Sequence, residues 1–118
     1  MKETRHDSVF LSKISEYICL DSNSASGLTW KKTPGKRISA GKPALAHLTS
    51  KGYFEGRFLG KPLLSHRVVF YLSRGYWPTG LIDHINGDRS DNRPTNLRES
   101  SHKDNGANCS AKGYFWDN

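Results

Sequence analysis

With 118 residues, 35% of them hydrophobic, and a net charge of +7, the chain has room for one compact domain or two mini-domains on a shared core, and none for a large multidomain enzyme. Its apolar runs are only a few residues long and the start, Met-Lys-Glu-Thr-Arg-His-Asp, holds no apolar stretch, so neither a membrane span nor a secretory signal is expected and a cytoplasmic location follows. Cys19 and Cys109 each lack a second cysteine nearby, which argues against a disulfide framework and against a paired-cysteine zinc ribbon.

In chain order, Val9, Phe10, Leu11, Ile14, Tyr17 and Ile18 recur at helical spacing, predicting an amphipathic helix from about Asp7 to Cys19 with Asp7 or Ser8 as its cap. Residues 21–27 and 33–43 read as turns or linkers by their Ser, Gly, Pro and Lys content. Between them Leu28-Thr-Trp-Lys is a candidate strand. Tyr53 to Phe58 and Lys61 to Leu64 read as a hairpin closed around Gly60, so a three-stranded basic sheet is expected. Ser65 is a candidate N-cap for a helix of about ten residues with Val68, Val69, Tyr71 and Leu72 as its apolar stripe, stopped by Gly75 and Pro78. Leu81 to Ile85 is a short strand, and Asn86-Gly87 is a tight-turn signal. After Pro94, residues 95–98 lead to Ser100 and Ser101, either of which can cap a last helix over His102 to Asn108.

Charge is concentrated in the middle of the chain. Residues 27–80 carry ten basic groups against Glu55 alone, a segment charge of +9, while the flanking segments each carry −1. Such a field attracts phosphate backbones through counterion release, and Lys31, Lys32, Lys36, Arg37, Arg57 and Arg67 are the candidate nucleic-acid contacts in it. The aromatics interleaved there, Trp30, Tyr53, Phe54, Phe58, Tyr71, Tyr76 and Trp77, read mostly as core. The plain alternative for the charge run is a solvated face.

The passage from Asp83 to Asn105 is far denser in acids, amides and histidines than a hairpin needs. Phosphodiester hydrolysis requires a base to deprotonate water and a cation to neutralise charge on the phosphoryl and leaving oxygens. Asp83 and His84 are residue types that supply these. Neighbours on a strand point to opposite faces, so both serve one site only if the strand ends or bends there.

Asp83-His84, Asn96 twelve residues after the histidine and Asn105 twenty-one after it resemble the HNH (ββα-metal) nuclease family, in its phage-type branch with Asn in the last motif position. The flanking His66-Arg67-Val68-Val69, Asn86-Gly87-Asp88, Asn92-Arg93-Pro94 and Asn96-Leu97-Arg98 are similar to that family as well, over about residues 53 to 108. The resemblance implies an α+β fold in which a ββα-metal motif follows a small basic sheet plus helix. It implies His84 as general base, Asp83 and Asn105 as metal ligands, and Asn96 as the catalytic-loop amide that braces the turn. All-oxygen ligation suits one hard cation, Mg²⁺ or Mn²⁺, ahead of Zn²⁺. Arg93 and Arg98 join the expected phosphate contacts.

The implied organisation is a helix and linker at 1–26, a DNA-docking region at 27–80 with a fainter likeness to AP2-type units, a nuclease motif at 81–110 and a tail at 111–118. The tail resembles the start of a DNA-binding extension. The implied activity is nicking or double-strand cleavage of duplex DNA, with a free-standing phage homing endonuclease as one setting and a host-cell cytoplasmic location if phage-encoded. Oligomeric state, monomer or dimer, is left open, and no membrane partner is expected. His102 is the alternative occupant of the last position, sharing a helix face with Asn105 and Asn108. Rival readings are a DNA-binding protein with an unused nuclease site and a zinc-stabilised module of His66, His84 and His102. A calcium loop starting at Asp83 fails, because Ile85 falls at a ligand position and Asp88 where the turn glycine belongs. His6 and His47 read as surface residues, and His66 as a packing or phosphate-contact group.

Overall fold

The computed structural model describes residues 7–100 of the chain. Helix α1 spans Ser8–Tyr17 and starts where Asp7 accepts a hydrogen bond from the Phe10 amide at 2.8 Å, so Asp7 is the cap. Its buried stripe, Phe10 and Ile14, continues into Ile18 at four-residue steps. Ile18 opens β1 (Ile18–Leu20), which pairs antiparallel with β2 (Leu28–Trp30), Ile18 lying opposite Trp30.

The connection between those strands, expected to be a linker, is a closed loop. The Asp21 amide donates to the Gly27 carbonyl at 2.9 Å, and the Asp21 carboxylate accepts from Thr29 Oγ1 and the Asn23 amide. Ser26 is fully buried at its end, and its Oγ donates to the Ala44 carbonyl at 2.6 Å. The second expected linker also folds back, with Gly41 donating to the Trp30 carbonyl and Trp30 to that of Lys42.

A three-stranded antiparallel sheet follows in the order β3 (His47–Leu48), β4 (Phe54–Phe58), β5 (Lys61–Leu64). The hairpin turns at Leu59 and Gly60, both with positive φ, as the Gly60 signal predicted. The third strand is not the Leu28 segment, as expected, but His47–Leu48. Leu28 and Trp30 are both buried and pair with β1, which leaves the edge of β4 to the short β3. Gly56 in β4 is required by close approach: a Cβ there would lie 2.7 Å from the Leu45 Cα.

Helix α2 (Ser65–Arg74) begins one residue earlier than a Ser65 cap would allow. Leu64 occupies the cap position without a side-chain bond, and Ser65 Oγ is turned to the Leu45 carbonyl instead. Gly75, left-handed at φ 91, ends the helix as expected. Strands β6 (Leu81–His84) and β7 (Leu97–Ser100) then pair antiparallel, Asp83 opposite Arg98 and His84 opposite Leu97, with one 3₁₀ turn at Pro94–Asn96 before β7. The layout is a small α+β arrangement of two helices and antiparallel sheets. The expected last helix over 102–108 lies outside the described residues.

One core joins these segments. Phe10, Ile14, Ile18, Leu28 and Trp30 from the first 30 residues pack with Leu45, Phe58, Leu63, Val68, Val69, Phe70 and Leu97. The Phe58 ring centroid lies 5.6 to 5.8 Å from those of Tyr17, Phe10 and Trp30. Arg74 at the end of α2 donates to the carbonyls of Leu97 and Pro94, tying the helix to the start of β7.

Candidate active site

Residues 85–96 connect β6 to β7, and the connection is held by side-chain amides rather than by a two-residue hairpin. The turn bond runs from the Gly87 amide to the His84 carbonyl at 2.8 Å, so Ile85 and Asn86 form its centre and Gly87, at φ 82, leaves it. Asn96 is 5% exposed and braces the loop. Its Oδ1 accepts from the Asn86 amide at 3.0 Å, and its Nδ2 donates to Asn86 Oδ1 at 3.0 Å and to the Asp91 carbonyl at 2.8 Å. Asp91 in turn accepts two bonds from the Arg93 guanidinium and one from Asn86 Nδ2. The Arg93 fork, outweighing the opposing effect of burial, holds the Asp91 carboxyl down at about 2.

His84 closes β6 with 7% of its surface exposed. Its Nε2 lies 2.9 Å from Asn92 Oδ1, and Asn92 Nδ2 donates to the Ser26 carbonyl at 3.1 Å. Nδ1 of His84 is neither hydrogen-bonded nor among the buried unpaired atoms of the described residues. That is the arrangement of an imidazole anchored at one nitrogen with the other open for proton transfer.

Asp83 precedes His84, where β6 ends and the chain turns. Its Oδ2 accepts from Ser100 Oγ at 3.1 Å and lies 3.5 Å from the Arg98 guanidinium across the ladder. The Asp83 side chain is 29% exposed. A hard, partly hydrated cation fits a donor of this kind. Asn105, the expected second ligand, and His102, its alternative, lie outside the described residues. Among the described residues no three His, Cys, Asp or Glu side chains gather into a metal-binding group. Next to Asp83's partner, Glu99 accepts from the amides of Thr79 and Gly80, from Thr79 Oγ1 and from the Tyr76 hydroxyl, fixing the turn that feeds β6. Burial pushes its carboxyl up, but these donors outweigh it and hold Glu99 below the usual carboxylate range.

Two rings pack behind His84. His66 from the first turn of α2 meets it edge-on at 5.1 Å between centroids, and Tyr53 lies 5.5 Å from His66 and 6.1 Å from His84. Arg89 covers Tyr53 at 5.1 Å and donates to the Lys51 carbonyl, so the loop between β6 and β7 is pinned to the β4 side. His66 is buried, its Nδ1 has no hydrogen-bond partner among the described residues, and burial followed by the neighbouring His84 and Arg67 charges lowers its pKa to about 3. His66 is therefore a neutral packing group.

The expected phosphate contacts divide by environment. Lys36 and Arg37 stand exposed on the 33–43 loop, with no ion pair among the described residues. Arg57 is exposed and donates to Gly60 at its own hairpin turn. Two adjoining surface depressions share Trp30, Arg37, Ile38 and Arg57 in their walls. Lys31 donates to the Ser15 carbonyl, and Lys32 is paired with Glu16 at 2.7 Å, which offsets its charge. Arg67 departs from expectation. It is 9% exposed, donates to the Pro78 and Gly80 carbonyls at 3.1 Å and stacks on Trp77, so it props the turn before β6 from inside. Asn92 had no role assigned beyond its place in the motif, and Ser26 none at all, because their partners lie 8 and 66 residues away.

Residues 64–107 match a family model described as HNH endonuclease, a stretch that runs from the end of β5 through α2, the braced loop and β7. The match supports placing this segment in the HNH family and supports nuclease activity in general. No curated protein and no solved structure matches the chain. No helix among the described residues is long and apolar enough to cross a membrane.

Proposed function

We propose that the chain is a metal-dependent endonuclease that hydrolyses phosphodiester bonds in duplex DNA, with His84 as general base. The observation that carries this reading is the His84 imidazole, anchored through Nε2 and open at Nδ1, on a loop braced by Asn96 and one residue from a partly exposed carboxylate. His84 Nδ1 takes the proton of the attacking water. Asp83, with Asn105 from the segment beyond β7, would hold one Mg²⁺ or Mn²⁺, which supplies charge neutralisation at the scissile phosphate when bound. Arg98, close to Asp83 across the ladder, and exposed Arg93, which pairs with Asp91, would meet phosphate oxygens.

DNA docks on the basic face. Arg37 and Arg57 line the depressions beside Trp30, with Lys36 on the same loop and Lys31 and Lys32 nearby at the end of β2. A phage origin and a homing role belong to the same proposal and rest on the sequence resemblance. Supercoiled plasmid incubated with Mg²⁺ or with EDTA tests the activity. Conversion to nicked or linear DNA with Mg²⁺ alone is the expected result. Supercoiled DNA that persists in both, while a gel shift shows binding, leaves only a DNA-binding protein.

A further inference from the structure

Asn92 and the carbonyl of Ser26 sit behind His84 in a way that decides which imidazole nitrogen carries the proton. The Ser26 carbonyl oxygen can only accept, so the Asn92 atom 3.1 Å from it must be the amide nitrogen, and the Asn92 oxygen is thereby turned to His84. That oxygen also only accepts, so the His84 nitrogen 2.9 Å away, Nε2, must be the N–H. A neutral imidazole has one N–H, which leaves Nδ1 with the lone pair. When Nδ1 takes a proton from water, the Nε2–H bond to Asn92 becomes a charge-assisted one and steadies the imidazolium.

The arm that sets this chain is buried and hydrogen-bonded. Ser26 is fully buried with its Oγ bound to the Ala44 carbonyl, and Gly27, at φ +87, packs between α2 and the β6–β7 loop, where a Cβ would lie 3.3 Å from Val69 and 3.6 Å from Asn92. Asn92 itself is 4% exposed. Ser26 lies outside residues 64–107, the part that matches the nuclease family model.

We propose that Asn92 is a positioning residue, held by the Ser26 carbonyl of the β1–β2 loop, that fixes His84 as the Nε2–H tautomer and leaves Nδ1 as the base. The proposal rests on the nuclease reading for its catalytic consequence but not for the tautomer itself. The test uses the full chain labelled with ¹⁵N-histidine, without metal, at a pH where the ring is neutral, with His84→Gln to assign the signal. The expected wild-type spectrum has the His84 proton on Nε2 and an exchange-protected ring N–H resonance.

In Asn92→Ala that resonance disappears, and kcat for plasmid nicking falls about 10- to 100-fold with KM unchanged. Asn92→Asp, whose carboxylate still accepts from Nε2–H, keeps the resonance and a kcat closer to wild type. A mere strut between the two loops predicts equal losses in both variants, since neither Ala nor Asp can donate to the Ser26 carbonyl. A wild-type proton on Nδ1 overturns the proposal. So does an Asn92→Ala protein that keeps both the resonance and kcat within about twofold of wild type, a margin well inside the general-base contribution. If the tautomer depends on Asn92 while His84→Ala cuts at full rate, the positioning stands and the base reading falls.

Discussion

Replacing Asn96 with alanine removes the brace of the β6–β7 loop in one step. The side chain makes three hydrogen bonds, from the Asn86 amide and to Asn86 Oδ1 and the Asp91 carbonyl, and it is buried, so water replaces them poorly. At about 0.5–1.5 kcal/mol net for each bond, the expected loss is about 2–4 kcal/mol of unfolding free energy. For a domain of this size that corresponds to a fall of roughly 10 to 20 °C in the thermal midpoint. Urea denaturation followed by tryptophan fluorescence measures the first quantity and calorimetry the second. Nicking falls with the loop order, while gel-shift affinity, carried by the basic face, stays near wild type. An Asn96→Ala protein within about 0.5 kcal/mol of wild type, the ordinary effect of a surface substitution, refutes the brace.

Other outcomes follow from the same geometry. Gly56→Ala drives a methyl group to 2.7 Å from the Leu45 backbone and should cost about 1–3 kcal/mol in urea melts. His66 has its folded pKa depressed to about 3 against 6.5, so the unfolded chain binds its proton first. Its contribution to stability is complete above about 6.5 and is lost as the pH falls towards about 3, at no more than about 1.4 kcal/mol per pH unit. His66→Phe keeps the ring and should flatten that slope; parallel curves for variant and wild type contradict the assignment. Replacing Lys36, Arg37 and Arg57 together with alanine should weaken duplex binding and reduce the slope of log K against log salt by roughly two to three, measured by fluorescence anisotropy.

Much of this was legible in the chain itself because it rests on local signals. Helix α1 with its Asp7 cap, the hairpin at Gly60 and the stop of α2 at Gly75 are each specified within a few residues, by helical period or by a backbone that favours glycine. The bracing by Asn96 was implied by family spacing. Strand partners were not legible, since Leu28 and Trp30 fit either β1 or the hairpin edge by pattern, and only the shared core chooses β1. Arg67 shows the limit of counting charges: composition places it with the candidate DNA contacts, whereas its guanidinium serves the Pro78 and Gly80 carbonyls. Ser65 shows the same limit for caps, because a buried carbonyl at Leu45 competes for its hydroxyl. Asn92 and Ser26 meet across 66 residues, a pairing for which no period or spacing exists.

The most direct test of the account is single-turnover nicking of supercoiled plasmid in Mg²⁺ by wild type and His84→Ala side by side, with binding measured on the same preparations. Loss of the general base predicts a rate lower by about 10² to 10⁴ with DNA affinity retained. A His84→Ala protein that nicks at the wild-type rate contradicts the central claim.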